Sequence, residues 1–234
     1  MSNITLWDLA GAEDDRRFSP YCWRVRMAIA HKNLSCETVP WRFTEKDAIA
    51  FSGQGLVPVI RDGKRELHDS WAIAEYLDER HPDQPALFDG EQAKSLALFF
   101  RIWTERTIHT ALFPVIIADL FANLHEKDKA YFRETREKRF GRALEGVGPD
   151  PKGALASLRG ALDPVRPLLV QKPFVSGGTP AFADYILFGA FQWARAMSPI
   201  RLLEPDDPLY AWRERMLDLH DGLARKAKGY PVWV

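Results

Sequence analysis

The feature that most constrains this chain is a change of pattern at His81. Before it, short strand-like runs alternate with helical ones; beyond it, nothing reads as a strand pair. Ile4 to Leu9 alternates apolar and polar side chains and predicts a first strand. The polar loop Gly11 to Arg17 leads to a helix over Pro20 to Lys32, with Pro20 in the first turn, where a missing N–H costs nothing. Cys36 to Val39 predicts a second strand, and Thr44 to Phe51 a short helix opened by a Thr cap. The run Leu56-Val57-Pro58-Val59-Ile60, the turn Asp62-Gly63 and the segment Arg65 to His68 predict a hairpin. Ser70 to Arg80 closes the unit as a helix with Ile73, Tyr76 and Leu77 on one face. The order βαβ, α, ββ, α is that of a small α/β domain.

Pro82-Asp83-Gln84-Pro85 marks a linker over 82–90. The expected division is an α/β domain over 1–81 and an all-helical domain over 91–234. Leu96, Phe99, Phe100, Trp103 and Thr107 fall on one helical face, and Pro114 is expected to kink or interrupt that helix. A charged helix is predicted over Asp128 to Leu144, a break over Gly146 to Gly153, and a further helix over Ala154 to Val170. Tyr185 to Met197 is apolar nearly all round, the pattern of a helix at the centre of a bundle. Leu209, Trp212, Met216, Leu219 and Leu223 form a single stripe on a final helix.

Composition narrows the function classes. With 46% hydrophobic and 27% charged residues in a chain of 234, a folded core is expected. Lys+Arg and Asp+Glu both number 32, which removes any electrostatic reason to expect a nucleic-acid or anionic-membrane partner. Cys22 and Cys36 are too few for a disulfide framework, and neither they nor the histidines show metal-site spacing, so no metal is expected. Met1-Ser2-Asn3 runs straight into Ile4-Thr5-Leu6-Trp7 without signal-peptide regions, and Tyr185 to Phe191 is too short to span a bilayer. A cytoplasmic location is the expectation.

The residues suited to chemistry lie at element starts. Ser19-Pro20-Tyr21-Cys22 stands where a loop enters a helix, so unpaired N–H groups and the positive dipole end favour an anion there. A thiol of ordinary pKa is mostly protonated at neutral pH, and a hydroxyl donating to the thiolate favours the ionised form. The same four residues also suit an ordinary N-cap. Val57-Pro58 places a proline in a strand-like run, fitting either a plain strand start or a special turn that offers backbone to an extended peptide ligand. Asp69-Ser70 can hold an ammonium and a carboxylate, or simply cap the helix that follows.

In their order and spacing these features resemble the glutathione S-transferase superfamily. The resemblance covers most of the chain and implies a thioredoxin-like βαβαββα domain followed by an all-α helical bundle. Gly177-Gly178-Thr179-Pro180-Ala181-Phe182-Ala183-Asp184 is similar to the family's loop and capping box before its buried helix, with Ala181 where Ser or Thr is usual. The strings Phe18-Ser19-Pro20-Tyr21-Cys22-Trp23-Arg24 and Asp69-Ser70-Trp71-Ala72-Ile73-Ala74-Glu75-Tyr76-Leu77-Asp78 resemble bacterial β-etherases and fungal FuA-class transferases. The resemblance implies glutathione as cosubstrate, Ser19 as the catalytic thiolate-stabilising residue, and Gln54, Val57, Pro58, Asp69 and Ser70 as further glutathione contacts. Leu56 stands where relatives often have a polar residue.

An aromatic electrophile is then expected between the domains, against Tyr21, Trp41, Phe43, Trp103, Arg106, His109, Phe113 and Ile117. Its displacement by sulfur includes β-aryl ether cleavage. A non-catalytic carrier of aromatic ligands is the rival reading, and a reductase working through Cys22 a third. Ser19 occupies the nucleophile position of a glutaredoxin-like Cys-Pro-Tyr-Cys site, which argues against dithiol chemistry and makes Cys22 a buried structural residue. The resemblance also implies a homodimer.

Overall fold

The structure is a computed structural model that describes residues 3–231; the outer ends of the two expected domains lie outside that range. Strand β1 (Asn3–Leu9) leads through a loop to α1 (Pro20–His31) and β2 (Ser35–Trp41). A short 3-10 helix over Lys46–Ser52 precedes the hairpin of β3 (Val59–Asp62) and β4 (Arg65–His68), and α2 (Ser70–Arg80) follows. The sheet order is β2-β1-β3-β4, with β2 parallel to β1 and β3 and β4 antiparallel. Leu6 pairs with Thr38 on one side and Ile60 on the other. Pro40 is tolerated because β2 is an edge strand, where a missing N–H breaks no ladder. The fold is thus a mixed four-stranded α/β domain followed by a helical one.

The helical part comprises α3 (Gly90–Trp103), α4 (His109–Ala122), α5 (Glu126–Phe140), α6 (Pro151–Ala161), α7 (Arg166–Gln171), α8 (Phe182–Met197) and α9 (Pro208–Lys226). Helix α8 is the central post, with nearly every side chain buried. The Asp184 carboxylate organises its start. It accepts from the backbone N–H of Ala181, the reach-back bond of a capping box, and from the N–H groups of Val175 and Ser176 and the indole of Trp212. Four donors compensate the burial of this carboxylate, although burial still raises its pKa.

Several expected elements differ in detail. Thr44 does not cap the 3-10 helix, which lacks a side-chain cap; its hydroxyl donates to Asp128 on α5 at 2.8 Å, tying the two parts together. The 82–90 stretch is anchored: the N–H groups of Leu87 and Phe88 donate to the Asp78 carboxylate. Pro114 lies inside α4 without ending it, and the irregularity falls upstream, in a π turn at Thr104–Ile108 that joins α3 to α4. The helix expected over 154–170 is divided, because Pro164 and Pro167 remove the N–H groups needed to continue it. The final stripe is not one continuous helix either. His220, Asp221 and Gly222 adopt left-handed φ values of 53°, 57° and 71°, so only Leu209, Trp212 and Met216 of the stripe are fully buried.

Candidate active site

Ser19 is the N-cap of α1: its Oγ accepts from the N–H of Cys22 at 3.2 Å, leaving its hydroxyl proton to donate. The residue is buried at the floor of a cleft of about 350 Å³. Val57 borders the same cleft, and the Val57–Pro58 peptide bond is cis. Asp69 has φ 71° and caps α2, accepting from the N–H groups of Trp71 and Ala72 at 3.0 and 3.1 Å. Ser70, in the first turn, is buried. Two helix starts, those of α1 and α2, therefore present their polar ends from the α/β domain.

The opposite wall is aromatic. Phe113 stacks on Phe140 with centroids 5.1 Å apart, and Trp193 of α8 and Phe132 of α5 complete this face. His109 packs edge-on against Tyr21 at 5.6 Å and Trp193 at 5.5 Å. Burial, with Arg24 and Arg139 adding repulsion, pushes the His109 imidazole down to about 3, so it is neutral at physiological pH. Among the described residues neither His109 Nε2 nor the indole N–H of Trp193 has a hydrogen-bond partner. Burial raises the Tyr21 phenol, and Arg24, whose guanidinium lies 4.6 Å from the ring centre, opposes the rise.

A chain of charges runs along one rim. Buried Arg24 donates to Glu105 at 2.7 Å, Arg101 contacts the same carboxylate oxygen at 3.5 Å, and Arg101 reaches Asp69 at 3.4 Å. The cap of α2 is thereby joined to the helical domain.

Of the residues expected from sequence, Ser19, Val57, Tyr21, Trp41, Phe43, His109 and Phe113 share this cleft. Trp103 does not reach it and packs on Phe100 at 5.7 Å, while Arg106 is exposed, because the π turn displaces this segment from regular helical spacing. Ile117 is buried in the core. The Gln54 amide is engaged within its own loop, bonding Ser52 and both backbone groups of Leu56, rather than offering itself to a ligand. Cys22 is fully buried, and burial, with Asp8 nearby, raises its thiol well above the ordinary value. That environment does not support thiolate chemistry at Cys22.

The family models decide the relationship. Residues 15–85 match the glutathione S-transferase N-terminal domain, and residues 95–204 match the glutathione S-transferase C-terminal domain. The chain belongs to the glutathione S-transferase superfamily. Among curated relatives, the rice protein described as "Probable glutathione S-transferase GSTU6" (Oryza sativa subsp. japonica) is 26% identical over 84% of this chain and 80% of its own length. The fold is similar to a glutathione S-transferase of Ceriporiopsis subvermispora in complex with glutathione, with TM-score 0.78 and 23% identity over 93% of this chain and 96% of that one. Glutathione transferase GSTFuA3 of Phanerochaete chrysosporium superposes with TM-score 0.75 and 24% identity, covering 96% of this chain and 94% of its own.

This superfamily member also carries cleft residues that sequence reasoning passed over: Arg136, Arg139, Phe132 and Phe140 on α5, and Trp193 on α8. A signal existed. Phe132, Arg136 and Phe140 recur at four-residue spacing and so share one helical face, within a helix whose many charges disguised it as solvated.

Proposed function

We propose that this chain is a glutathione transferase in which Ser19 stabilises the thiolate of glutathione and presents it to a hydrophobic aromatic electrophile in the cleft. The observation carrying this reading is the placement of Ser19. Its hydroxyl stands at the positive end of α1, accepts a backbone N–H, and opens onto an aromatic cavity large enough for a second ligand. Glutathione bound in a protein of the same fold supports the choice of thiol. On this reading Val57, Asp69 and Ser70 hold the peptide.

The chemistry balances simply. The glutathione thiol releases its proton to solvent, the thiolate forms a carbon–sulfur bond, and the leaving group departs with its electron pair. In the ether-cleaving form, sulfur attacks the carbon next to a ketone and a phenolate leaves. The protein contributes thiolate stabilisation, orientation and exclusion of water. Leu98, Phe99 and Ile102 leave an apolar, exposed patch on α3 that supports assembly as a homodimer, testable by light scattering.

The deciding assay measures glutathione-dependent turnover of a chlorodinitrobenzene-type substrate, an aryl isothiocyanate and an α-keto β-aryl ether. In Ser19→Ala we expect kcat/KM to fall on the order of a hundredfold, with glutathione affinity within about threefold of the parent. Undiminished turnover in Ser19→Ala removes Ser19 from the mechanism. Glutathione binding with no turnover of any of the three substrates shifts the reading to a ligand carrier.

A further inference from the structure

The cleft holds more positive charge than it neutralises. Arg136 and Arg139 both line it, and among the described residues neither has a carboxylate within ion-pair distance. Arg133, three residues earlier on α5, is by contrast paired with Glu137 at 2.9 Å and Glu145 at 2.7 Å. The Arg136 guanidinium instead lies over Phe132 and Phe43, 4.5 and 5.1 Å from the ring centres, and Arg139 lies 5.6 Å from that of Phe140.

The nearby carboxylates are engaged elsewhere. Glu105, on the cleft wall, is held by Arg24 and Arg101. Asp128, on the same helix as Arg136, accepts from the N–H groups of Phe43 and Thr44 and from the Thr44 hydroxyl. His109 is neutral, and the indole N–H of Trp193 is an unpartnered donor among the described residues.

Arg136 is half-buried and Arg139 exposed. A half-buried cation such as Arg136 without a counter-charge is unfavourable unless something else supplies the charge. An aromatic anion meets both demands of this wall. Its ring packs against Phe113, Phe132, Phe140 and Trp193, and its carboxylate satisfies a guanidinium through charge-assisted hydrogen bonds. We propose that the second ligand of this cleft is an aromatic carboxylate whose anionic group is bound by Arg136 and Arg139. The inference rests on the reading that the cleft takes a second ligand beside glutathione, and it narrows that ligand to an acidic one.

The test uses 2-naphthoate and 2-naphthamide, which share a ring system and differ in charge. Each is titrated calorimetrically into the full chain, with and without glutathione. We expect naphthoate to bind at least about tenfold more tightly at low salt, and this preference to shrink at high salt. Arg136→Met and Arg139→Met should each reduce the preference several-fold and together abolish it. Unchanged naphthamide affinity in the double variant shows that the pocket is intact. Equal affinity of the two probes in the parent chain, or a preference that survives the double substitution, overturns the proposal. So does a double variant that loses glutathione affinity but keeps its preference for naphthoate, since the arginines then serve the peptide. Titration without glutathione separates the two readings: absence of glutathione binding defeats the proposed transferase while leaving the charge preference measurable.

Discussion

On the α/β side, Ser19 and Val57 border the cleft while Asp69 and Ser70 open α2 outside its lining, and the caps at Ser19 and Asp69 are held by backbone hydrogen bonds over two or three residues. The wall built from α4, α5 and α8 is made of side chains contributed from positions far apart in sequence, such as Phe113, Arg136 and Trp193. On the proposed reading the first wall holds the thiol and the second sets what that thiol meets, so a local backbone device serves the constant reactant and a packed side-chain surface the variable one.

Removing the support of the second wall should have the largest effect. Asp184→Ala leaves the N–H groups of Val175, Ser176 and Ala181 and the Trp212 indole without their acceptor at the start of α8, which also carries Trp193. We expect a loss of about 3–5 kcal/mol in urea unfolding. A loss below about 1 kcal/mol means that water or neighbouring groups replace the carboxylate, and that the wall does not depend on it.

Gly189→Ala probes the junction of the walls. A Cβ at Gly189 would lie 2.4 Å from the carbonyl oxygen of Pro20, the residue after Ser19. Helix α1 would have to shift, at a cost of about 1–3 kcal/mol, and turnover should fall further than binding of an aromatic probe. Equal losses in both would show that the walls move as one body.

Acid sharpens the contrast next. His109 has its folded pKa lowered to about 3 against an ordinary value near 6.5, so between those values the unfolded chain binds the extra proton. Its contribution to stability is present above pH 6.5 and declines as the pH falls. At pH 5.5 the decline is about 1.4 kcal/mol. His109→Gln should remove that part of the acid sensitivity, as measured by urea unfolding at pH 7.5 and 5.5. An unchanged difference between the two pH values would place the sensitivity elsewhere.

The same contrast explains what could be read from the sequence. The α/β order and the caps at Ser19 and Asp69 are local patterns that spacing exposes, and the reach-back of Asp184 is a local pattern that came with the family resemblance. Arg136 and Trp193 belong to the cleft only because distant helices meet there, and a charged helix reads the same whether its arginines face water or a cavity. Neither Trp103 nor Arg106, expected against the second substrate, lines the cleft, and the π turn at Thr104–Ile108 breaks the regular spacing of this segment. The left-handed turn at His220–Gly222 escaped for a related reason: two of its three residues are not glycine.

Asp69 gives the smallest expected effect on stability and the cleanest separation of roles. Its carboxylate caps α2 and contacts Arg101, and on the proposed reading it also holds the ammonium of glutathione. Asp69→Ala removes cap and charge together, at a cost of about 1 kcal/mol, and makes positive φ less favourable. Asp69→Asn keeps a capping oxygen and tolerates that φ, so stability should stay within about 0.5 kcal/mol of the parent. The negative charge is nevertheless gone, so glutathione affinity should fall on the order of tenfold. If Asp69→Asn is stable and binds glutathione undiminished, Asp69 is a cap alone, and the ammonium must be held by another group. Loss of affinity in both variants, with loss of stability confined to Asp69→Ala, shows one carboxylate serving the fold and the ligand by separable means.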